Sequence, residues 1–353
     1  FGVMPNENGA PFFSINDFDE AYFAPFSWDI KRGGVGFIIA AQENGLRPKK
    51  CREVVKQFVK GYLEGLLEFA RNDREKWHQF RLDNSPPMIQ ELLESAQQSR
   101  KEFLCELIDL DKSQFRATEE IVPYGNYTEK FQQAMDRYRS SSEMGSQDRG
   151  SHFKVKDVAI KKGSGTASLG LDRYFVLIDG PTDDPADDLV LEFKHSRHSA
   201  LEGLTPGDTR QASGKAERIV WAQQIHLVGG DPYYGYTTLD QQSFMVRERS
   251  PYKNNIDTDT LNYDELKTYA DICGKTLAQI HARSDADTGV SEHCAEQQIL
   301  ASIDPAWFPG DIARFAETGA RRLLADYQAF KKDHRRGVFK LGSSRVLVEP
   351  AGP

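Results

Sequence analysis

The chain has no apolar run long enough to cross a membrane. Residues 37–41 (FIIAA) are strongly apolar, but a membrane-spanning helix needs about 20 such residues. Basic residues do not dominate either, since 45 lysines and arginines face 53 aspartates and glutamates, and the formal net charge is -8. No global positive field therefore attracts nucleic acid or an anionic membrane surface. We expect a soluble cytoplasmic protein without nucleic-acid or membrane partners.

Cysteine is scarce, and the motifs of several large enzyme classes are missing. The four cysteines lie far apart and form no C-x-x-C pair, which disfavours a zinc site and a disulfide framework. The G-x-S-x-G elbow of a serine hydrolase and the Walker phosphate loop are also absent. The remaining composition, 39% hydrophobic and 28% charged over 353 residues, is that of a globular protein with a sizeable core.

Hydrophobic periodicity divides the chain into three parts. Apolar residues recur at three- and four-residue spacing up to about residue 139, alternate with polar residues after a polar linker at residues 140–151, and return to helical spacing from Tyr263. We therefore predict an α+β protein with two lobes. Residues 1–148 and 251–345 form a larger helical lobe in this interpretation, and residues 149–250 form a small antiparallel sheet lobe.

Acidic residues gather behind a short apolar run near the start of the chain. Residues 11–15 (PFFSI) have the composition of a strand, and Asp17, Asp19 and Glu20 follow it closely. Functional groups often lie at the carboxyl ends of strands, and Mg²⁺ prefers hard oxygen ligands such as carboxylates. We expect Asp17, and after it Asp19, to hold Mg²⁺. A solvated loop is the alternative.

A glycine-rich segment joins two of the predicted strands. It contains Gly163, Ser164, Gly165, Thr166, Ala167 and Ser168. Glycine lets the backbone approach phosphate closely, so that amide N–H groups can point at the phosphate oxygens. A strand rather than a helix follows, which disfavours a dinucleotide-binding fingerprint and favours the loop that covers ATP in protein kinases. A plain hairpin turn is the alternative.

The third predicted strand and the helix that follows it supply a lysine and an acid. Lys194 follows an alternating run of apolar residues, where its ammonium could reach the α- and β-phosphates of ATP. Such a lysine is usually held by an acid from a nearby helix, and Glu217 lies on the helix predicted next. We predict that both are catalytic and that Lys194 also binds ATP. A solvated lysine and a glutamate that stabilises its helix dipole are the alternatives.

Four other residues receive structural interpretations. Asp29 is predicted to be buried and to brace a catalytic loop. His281 is predicted to pack near the cleft and to form a hydrogen bond there. Arg247 and Arg249 lie where a kinase hinge would bind adenine through backbone groups, so their side chains need no special role.

The order of these motifs differs from that of a kinase, because Asp17 precedes Gly163 along the chain. Circular permutation would reconcile the two orders. Residues 269–284 resemble the helix that leads into the catalytic loop of aminoglycoside and choline kinases. The segments FFSINDFDEAYFAPFSWDIKRGG, GSGTASLG, LEFKHS, FMVRER and YADICGKTLAQIHARSD, in that order, resemble a bacterial family, domain of unknown function 2252. The resemblance extends from Phe1 to about Lys332.

This resemblance implies a circularly permuted, two-lobed fold similar to that of aminoglycoside and choline kinases. It also implies a Gly-Asp-x-His-x-x-Asn-type segment immediately before Phe1, which would hold the catalytic base and a second Mg²⁺ ligand. Since that segment is not among these 353 residues, a protein that starts at Phe1 is expected to lack turnover.

The hypothesis for function is an ATP- and Mg²⁺-dependent phosphotransferase that acts on a small-molecule acceptor. The glycine-rich loop and Lys194 would hold the triphosphate, and Asp17 with Asp19 would hold the metal. Two alternatives stay open. One is a nucleotide-binding pseudokinase that serves as a scaffold or regulator, and the other is a nucleotidyl transferase on the same fold.

Overall fold

Helices and one large sheet make up the described part of the chain. The computed structural model describes residues 1–142, 153–163, 170–182, 184–205, 214–252 and 254–339. Its mixture of helices and strands confirms the predicted α+β class. The predicted linker at residues 140–151 lies mostly outside the described residues, and so do residues 164–168 of the glycine-rich loop. The three predicted segments and their two-lobed arrangement stay a prediction.

The main helices lie where apolar residues recur at helical spacing. The helices are α1 (Ser27–Glu43), α2 (Pro48–Phe69), α3 (Pro87–Ser95), α4 (Arg100–Leu107), α5 (Thr128–Tyr138), α6 (Lys215–His226), α7 (Tyr263–Ala282), α8 (Ala295–Ser302) and α9 (Phe308–Arg335). The start of α7 is set by Asn262, whose side chain accepts hydrogen bonds from the amides of Asp264 and Glu265. The Glu265 carboxylate accepts one from the Asn262 amide in return, which completes a capping box.

Helices α2 and α7 lie at the centre of the helical core. Their backbones approach closely at glycines: a Cβ on Gly274 would lie 2.1 Å from the Phe58 carbonyl oxygen, and one on Gly61 would lie 2.3 Å from the Asp271 carbonyl oxygen. Buried apolar side chains from α1, α2, α7, α8 and α9 form one continuous cluster around this contact. The segments in which apolar residues recur at helical spacing therefore pack into one shared core.

Most strands belong to a single antiparallel sheet. The strands are β1 (Gly2–Pro5), β2 (Pro11–Ser14), β3 (Ile108–Asp109), β4 (Gln114–Phe115), β5 (Ile121–Pro123), β6 (Val155–Lys161), β7 (Arg173–Ile178), β8 (Leu189–His195), β9 (Gly235–Leu239) and β10 (Gln242–Glu248). The large sheet has six strands in the order β5-β6-β7-β8-β10-β9, and α6 lies between β8 and β9 in the chain. The predicted antiparallel sheet is confirmed.

Alternation along the strands gives this sheet two different faces. Phe193 of β8 lies in the apolar core that α5 covers, whereas Glu192 and Lys194 point to the opposite face. In the strand register, Arg173 of β7 lies opposite Lys194, and Arg247 of β10 lies opposite Glu192. Charged residues from three strands therefore meet on the face away from α5.

The chain begins with a hairpin of β1 and β2, of which the sequence predicted only β2. Strand β2 lies where it was expected, and Phe13 packs on Tyr269 of α7 with ring centroids 6.4 Å apart. The first strand was expected only about ten residues into the chain, and β1 corrects this. Both β1 and β9 begin with a glycine, Gly2 and Gly235, and the low strand propensity of glycine weakens the sequence signal for a strand there. In β9, Gly235 is required because a Cβ there would lie 2.6 Å from the ring of Tyr138.

The contact between α2 and α7 gives a stability prediction. Gly274→Ala should lower the free energy of unfolding by about 1 to 3 kcal/mol, because the new methyl group would overlap the Phe58 carbonyl and force the helices apart. Gly36→Ala in α1 is the matched control, since a Cβ there meets nothing within 4 Å. The control should gain about 0.5 to 1 kcal/mol from helix propensity. Urea unfolding of both variants measures the difference, and equal stabilities would contradict the close packing.

Candidate functional site

An ion pair joins the acidic segment near the start of the chain to the sheet. The Lys194 ammonium contacts the Asp19 carboxylate, although the two residues are 175 positions apart in the sequence. Their side chains are 16% and 33% exposed, so the pair is partly shielded from water. The structure therefore brings together two of the predicted site residues from separate parts of the chain.

Arg218 of α6 holds the acidic segment in place from the other side. Its guanidinium donates hydrogen bonds to the backbone carbonyls of Ala21, Asp19 and Arg197, the latter two at 2.8 and 3.2 Å. Burial lowers the pKa of Arg218 below its ordinary value. The charges of Glu20 and Asp19 act in the opposite direction and offset only part of this shift. One partly buried cation thus connects the segment after β2, the loop after β8 and helix α6.

The loop after β8 also binds the acidic segment directly. The Ala200 amide donates a hydrogen bond to the Glu20 carboxylate at 2.7 Å, and the Ser199 hydroxyl donates to the same carboxylate at 3.1 Å. The sequence interpretation gave Glu20 no role. Its position next to Asp19 was the available signal, and its partners could not be read from local sequence.

Asp17, the first predicted metal ligand, lies exposed at the edge of a large cleft. Its Oδ1 accepts a weak hydrogen bond from the Asp19 amide at 3.4 Å. Among the residues that the structure describes, no group of three or more His, Cys, Asp or Glu side chains could hold a metal by itself. Mg²⁺ is commonly held by one or two carboxylates together with phosphate oxygens and water. Asp17 fits that chemistry, while Asp19 is engaged by Lys194.

Glu217, the predicted acid partner of Lys194, lies in the first turn of α6. The Tyr236 hydroxyl donates to its Oε1 at 3.5 Å. The ion pair of Lys194 is with Asp19, so pairing of Lys194 with Glu217 stays a prediction. Gly163 follows β6 with a positive φ of 71°, a conformation that glycine adopts without strain. The other predicted members of the phosphate loop lie outside the described residues.

Glu192 forms a buried charge cluster that the sequence interpretation missed. Arg247 donates to Glu192 Oε2 at 2.7 Å, and Arg173 donates to Oε1 at 3.0 Å. Burial raises the pKa of Glu192, but the charges of Arg247 and Arg173 outweigh it and bring the pKa down to about 2. Alternation along the strand was the available signal, because Glu192 and Lys194 are two positions apart on β8 and therefore point to the same face of the sheet. The contact with Glu192 gives the Arg247 side chain a role that was not predicted.

The backbone next to Arg247 is already hydrogen-bonded within the protein. The Glu248 amide donates to Asp231 Oδ2 at 2.9 Å, and the Arg249 amide donates to the Val190 carbonyl at 2.8 Å. Burial and the neighbouring Glu248 charge raise the pKa of Asp231 to about 7. Adenine could use these two amides as a hinge only if those hydrogen bonds were broken.

His281 and Asp29 lie together on the wall of the cleft. His281 shares a hydrogen bond of 2.8 Å with the Tyr62 hydroxyl through Nδ1, and its Nε2 lies 3.4 Å from Asp29 Oδ2. Burial raises the pKa of Asp29, but the hydrogen bond and charge of His281 and the charge of Arg32 lower it below its usual value. The predicted hydrogen bond of His281 is confirmed. The prediction of a buried Asp29 is wrong, because 46% of its side chain is exposed.

The cleft has a volume of about 1290 Å³. Its walls come from the acidic segment, the start of α1, α6, the end of α7 and α8. Asp17, Glu20, Asp29 and His281 are among its lining residues. Ligand sites are typically concave and mostly apolar with a few converging polar groups. This arrangement makes the cleft the candidate ligand site.

A family model described as "Uncharacterized protein conserved in bacteria (DUF2252)" matches residues 1–333. The chain belongs to this family. The match confirms the family resemblance that was based on motifs between residues 12 and 285. Neither the curated proteins nor the solved structures contain a match to the chain. In the described part of this DUF2252 protein, no helix is long and apolar enough to span a bilayer.

The buried charge cluster predicts a pH-dependent stability difference. Glu192→Gln should cost about 3 to 5 kcal/mol at neutral pH, because two arginines lose a buried counter-charge. The stabilisation by ionised Glu192 is complete above its unfolded pKa of about 4.3 and is lost as the pH falls towards its folded pKa of about 2. The gap between wild type and variant should therefore narrow below about pH 4.

Glu120→Gln is the control for this experiment. Glu120 also forms an ion pair, with Lys161, but its side chain is 65% exposed. Its replacement should change stability little, because water screens exposed pairs. Urea unfolding of both variants between about pH 2 and 7, which covers the folded and unfolded pKa values of Glu192, measures the effect. Equal effects of the two substitutions would show that Glu192 is not a buried, paired charge.

Proposed function

We propose that this DUF2252 protein is an ATP- and Mg²⁺-dependent phosphotransferase with a circularly permuted, kinase-like fold. The observation that carries the proposal is the ion pair between Lys194 and Asp19. In protein kinases, a lysine on the third strand of the small lobe contacts the nucleotide phosphates, and an aspartate holds Mg²⁺ across the same cleft. Here a strand lysine contacts an aspartate of the acidic segment directly, which supports the proposal.

The topology of the sheet supports this proposal. Strands β6, β7 and β8 follow one another as antiparallel neighbours, and Lys194 lies near the end of the third. Helix α6 comes next in the chain with Glu217 in its first turn, and β9 and β10 complete the sheet. A glycine-rich loop between the first two strands, a lysine on the third and a glutamate on the following helix are the parts of a kinase small lobe.

The proposed roles follow from charge and exposure. Lys194 would turn from Asp19 to the triphosphate, since both carry the negative charge that its ammonium requires. The carboxylates of Asp17 and Asp19 would then face the phosphates with Mg²⁺ between them, and bound Mg²⁺ would neutralise charge on the β- and γ-phosphate oxygens. Arg218 keeps the backbone of Asp19 fixed during this exchange. Catalysis would rest on positioning and electrostatic stabilisation.

Substitution of Lys194 tests the proposal. Lys194→Met should remove Mg²⁺-dependent ATP binding and lower turnover at least about 100-fold, as expected for loss of an electrostatic contact to the transferred group. Asp17→Asn should weaken the dependence on Mg²⁺. Binding is measured by thermal shift with ATP, with and without Mg²⁺, and turnover is measured on the product of the complete gene. Lys60→Met on the exposed face of α2 is the control and should behave like wild type.

The position of a radioactive label separates the related functions. Transfer of label from the γ-phosphate of ATP supports the phosphotransferase, whereas transfer from the α-phosphate indicates a nucleotidyl transferase. ATP binding without transfer of either label indicates a pseudokinase. If Lys194→Met and Asp17→Asn both leave ATP binding and turnover unchanged, the proposed site is wrong.

A further inference from the structure

The walls of the cleft beside Asp17 are largely apolar and aromatic. Trp28 of α1 and Trp221 of α6 both line it, and Phe23 packs on Trp221 with ring centroids 5.6 Å apart. Ile225 and Leu277 add aliphatic surface. The cleft of about 1290 Å³ is larger than typical sites for drug-sized ligands, which have about 300 to 1,000 Å³. Such walls favour a ligand with a ring or hydrocarbon body over a strongly hydrated one.

One imidazole on the cleft wall lacks a hydrogen-bond partner. The Nδ1 atom of His226 is buried without a partner among the described residues. Burial lowers the pKa of His226 to about 3, and the charges of His281 and Arg283 add to this effect, so its ring is neutral at physiological pH. A buried polar group without a partner costs about 1 to 3 kcal/mol. The Nδ1 atom itself has no exposed surface, but His226 as a whole is partly exposed and lines the cleft, so a ligand hydroxyl would approach the ring from its exposed side.

His226 lies among the other functional groups of the cleft. Its ring is 6.2 Å from that of Phe18, centroid to centroid, and Phe18 directly follows Asp17. His281 and Asp29 are close enough to affect its charge state, and both line the same cleft. These polar groups therefore lie near the proposed metal ligand, and aromatic side chains are part of the same wall.

We infer that this cleft binds an aromatic or apolar compound with a hydroxyl group, and that this compound is the acceptor of the transfer. The second part rests on the proposed phosphotransferase function. The acceptor oxygen would bond to the γ-phosphorus while the bond to the β-phosphate oxygen breaks, ADP leaves, and the hydroxyl proton passes to solvent. The ring or hydrocarbon body contacts Trp28 and Trp221, and the hydroxyl group lies towards His226 and Asp29.

The four tryptophans of the chain offer a selective probe of binding. Trp77 and Trp307 are 66% and 68% exposed and do not line the cleft, whereas Trp28 and Trp221 do. The double variant Trp77→Phe/Trp307→Phe should fold like wild type and keep tryptophan fluorescence only from the cleft. Titration of this variant with 2-naphthol should quench the fluorescence with saturation. The methyl ether, 2-methoxynaphthalene, should bind about three- to tenfold more weakly, because it cannot donate a hydrogen bond.

Two further substitutions locate the bound ring and hydroxyl in the same background. His226→Phe keeps an aromatic ring, although a larger one, removes both ring nitrogens, and should reduce the preference for 2-naphthol over its methyl ether to about one. Trp221→Ala should weaken both compounds about tenfold through lost aromatic contact. Thermal melting confirms that each variant is folded. If the Trp77→Phe/Trp307→Phe variant, in which His226 is intact, binds the two compounds equally, the proposed role of His226 is wrong.

The outcome separates this inference from the proposed function. In the Lys194→Met variant, 2-naphthol should still quench the fluorescence with saturation, because Lys194 itself does not line the cleft. Absence of saturable quenching by 2-naphthol, or saturable binding of sorbitol instead, would overturn the inference even if Mg²⁺-dependent ATP turnover is observed. Binding of 2-naphthol without ATP turnover would keep the aromatic site and reject only its role as an acceptor site.

Discussion

The ion pair between Lys194 and Asp19 connects the two halves of the candidate site. One partner belongs to a strand in the middle of the sheet, and the other belongs to a loop that leaves the helical core after β2. Without this contact, the Asp19 carboxylate would lose its ammonium partner, whereas Glu20 would keep its hydrogen bonds to Ser199 and Ala200. Arg218 adds a second cation that binds the backbone of the same segment. The local shape of the site thus depends on two cations from the sheet region that hold one acidic loop.

The packing of the helices determines where that acidic loop begins. Strand β2 lies on α7 through Phe13 and Tyr269, and α7 is fixed against α2 by glycines that permit backbone contact. His281, near the end of α7, then reaches both Tyr62 of α2 and Asp29 of α1. The same close packing that stabilises the core therefore places an imidazole and a carboxylate on the cleft wall. Small movements of α7 would change the core and the cleft together.

Local sequence predicted the elements better than it predicted their partners. Helical and alternating spacing identified α7, β8 and α6, and with them the positions of Lys194 and Glu217. It could not show that Lys194 contacts Asp19, because ion-pair partners distant in sequence are chosen by the tertiary fold. Glu192 was missed for the same reason. Glutamate is usually exposed, and the arginines that pair with Glu192 could not be identified from the sequence alone. Very short strands such as β3 have too few residues to show alternation.

The two acids that contact the sheet cations differ in a way that bears on function. Glu192 is 3% exposed and is held by Arg173 and Arg247 on both of its oxygens. Asp19 is 33% exposed and has one ammonium partner. Removing a partner from the first cluster leaves a desolvated charge, whereas water can replace the partner of the second at modest cost. Lys194 is therefore held less firmly by its carboxylate than Arg173 and Arg247 are held by Glu192.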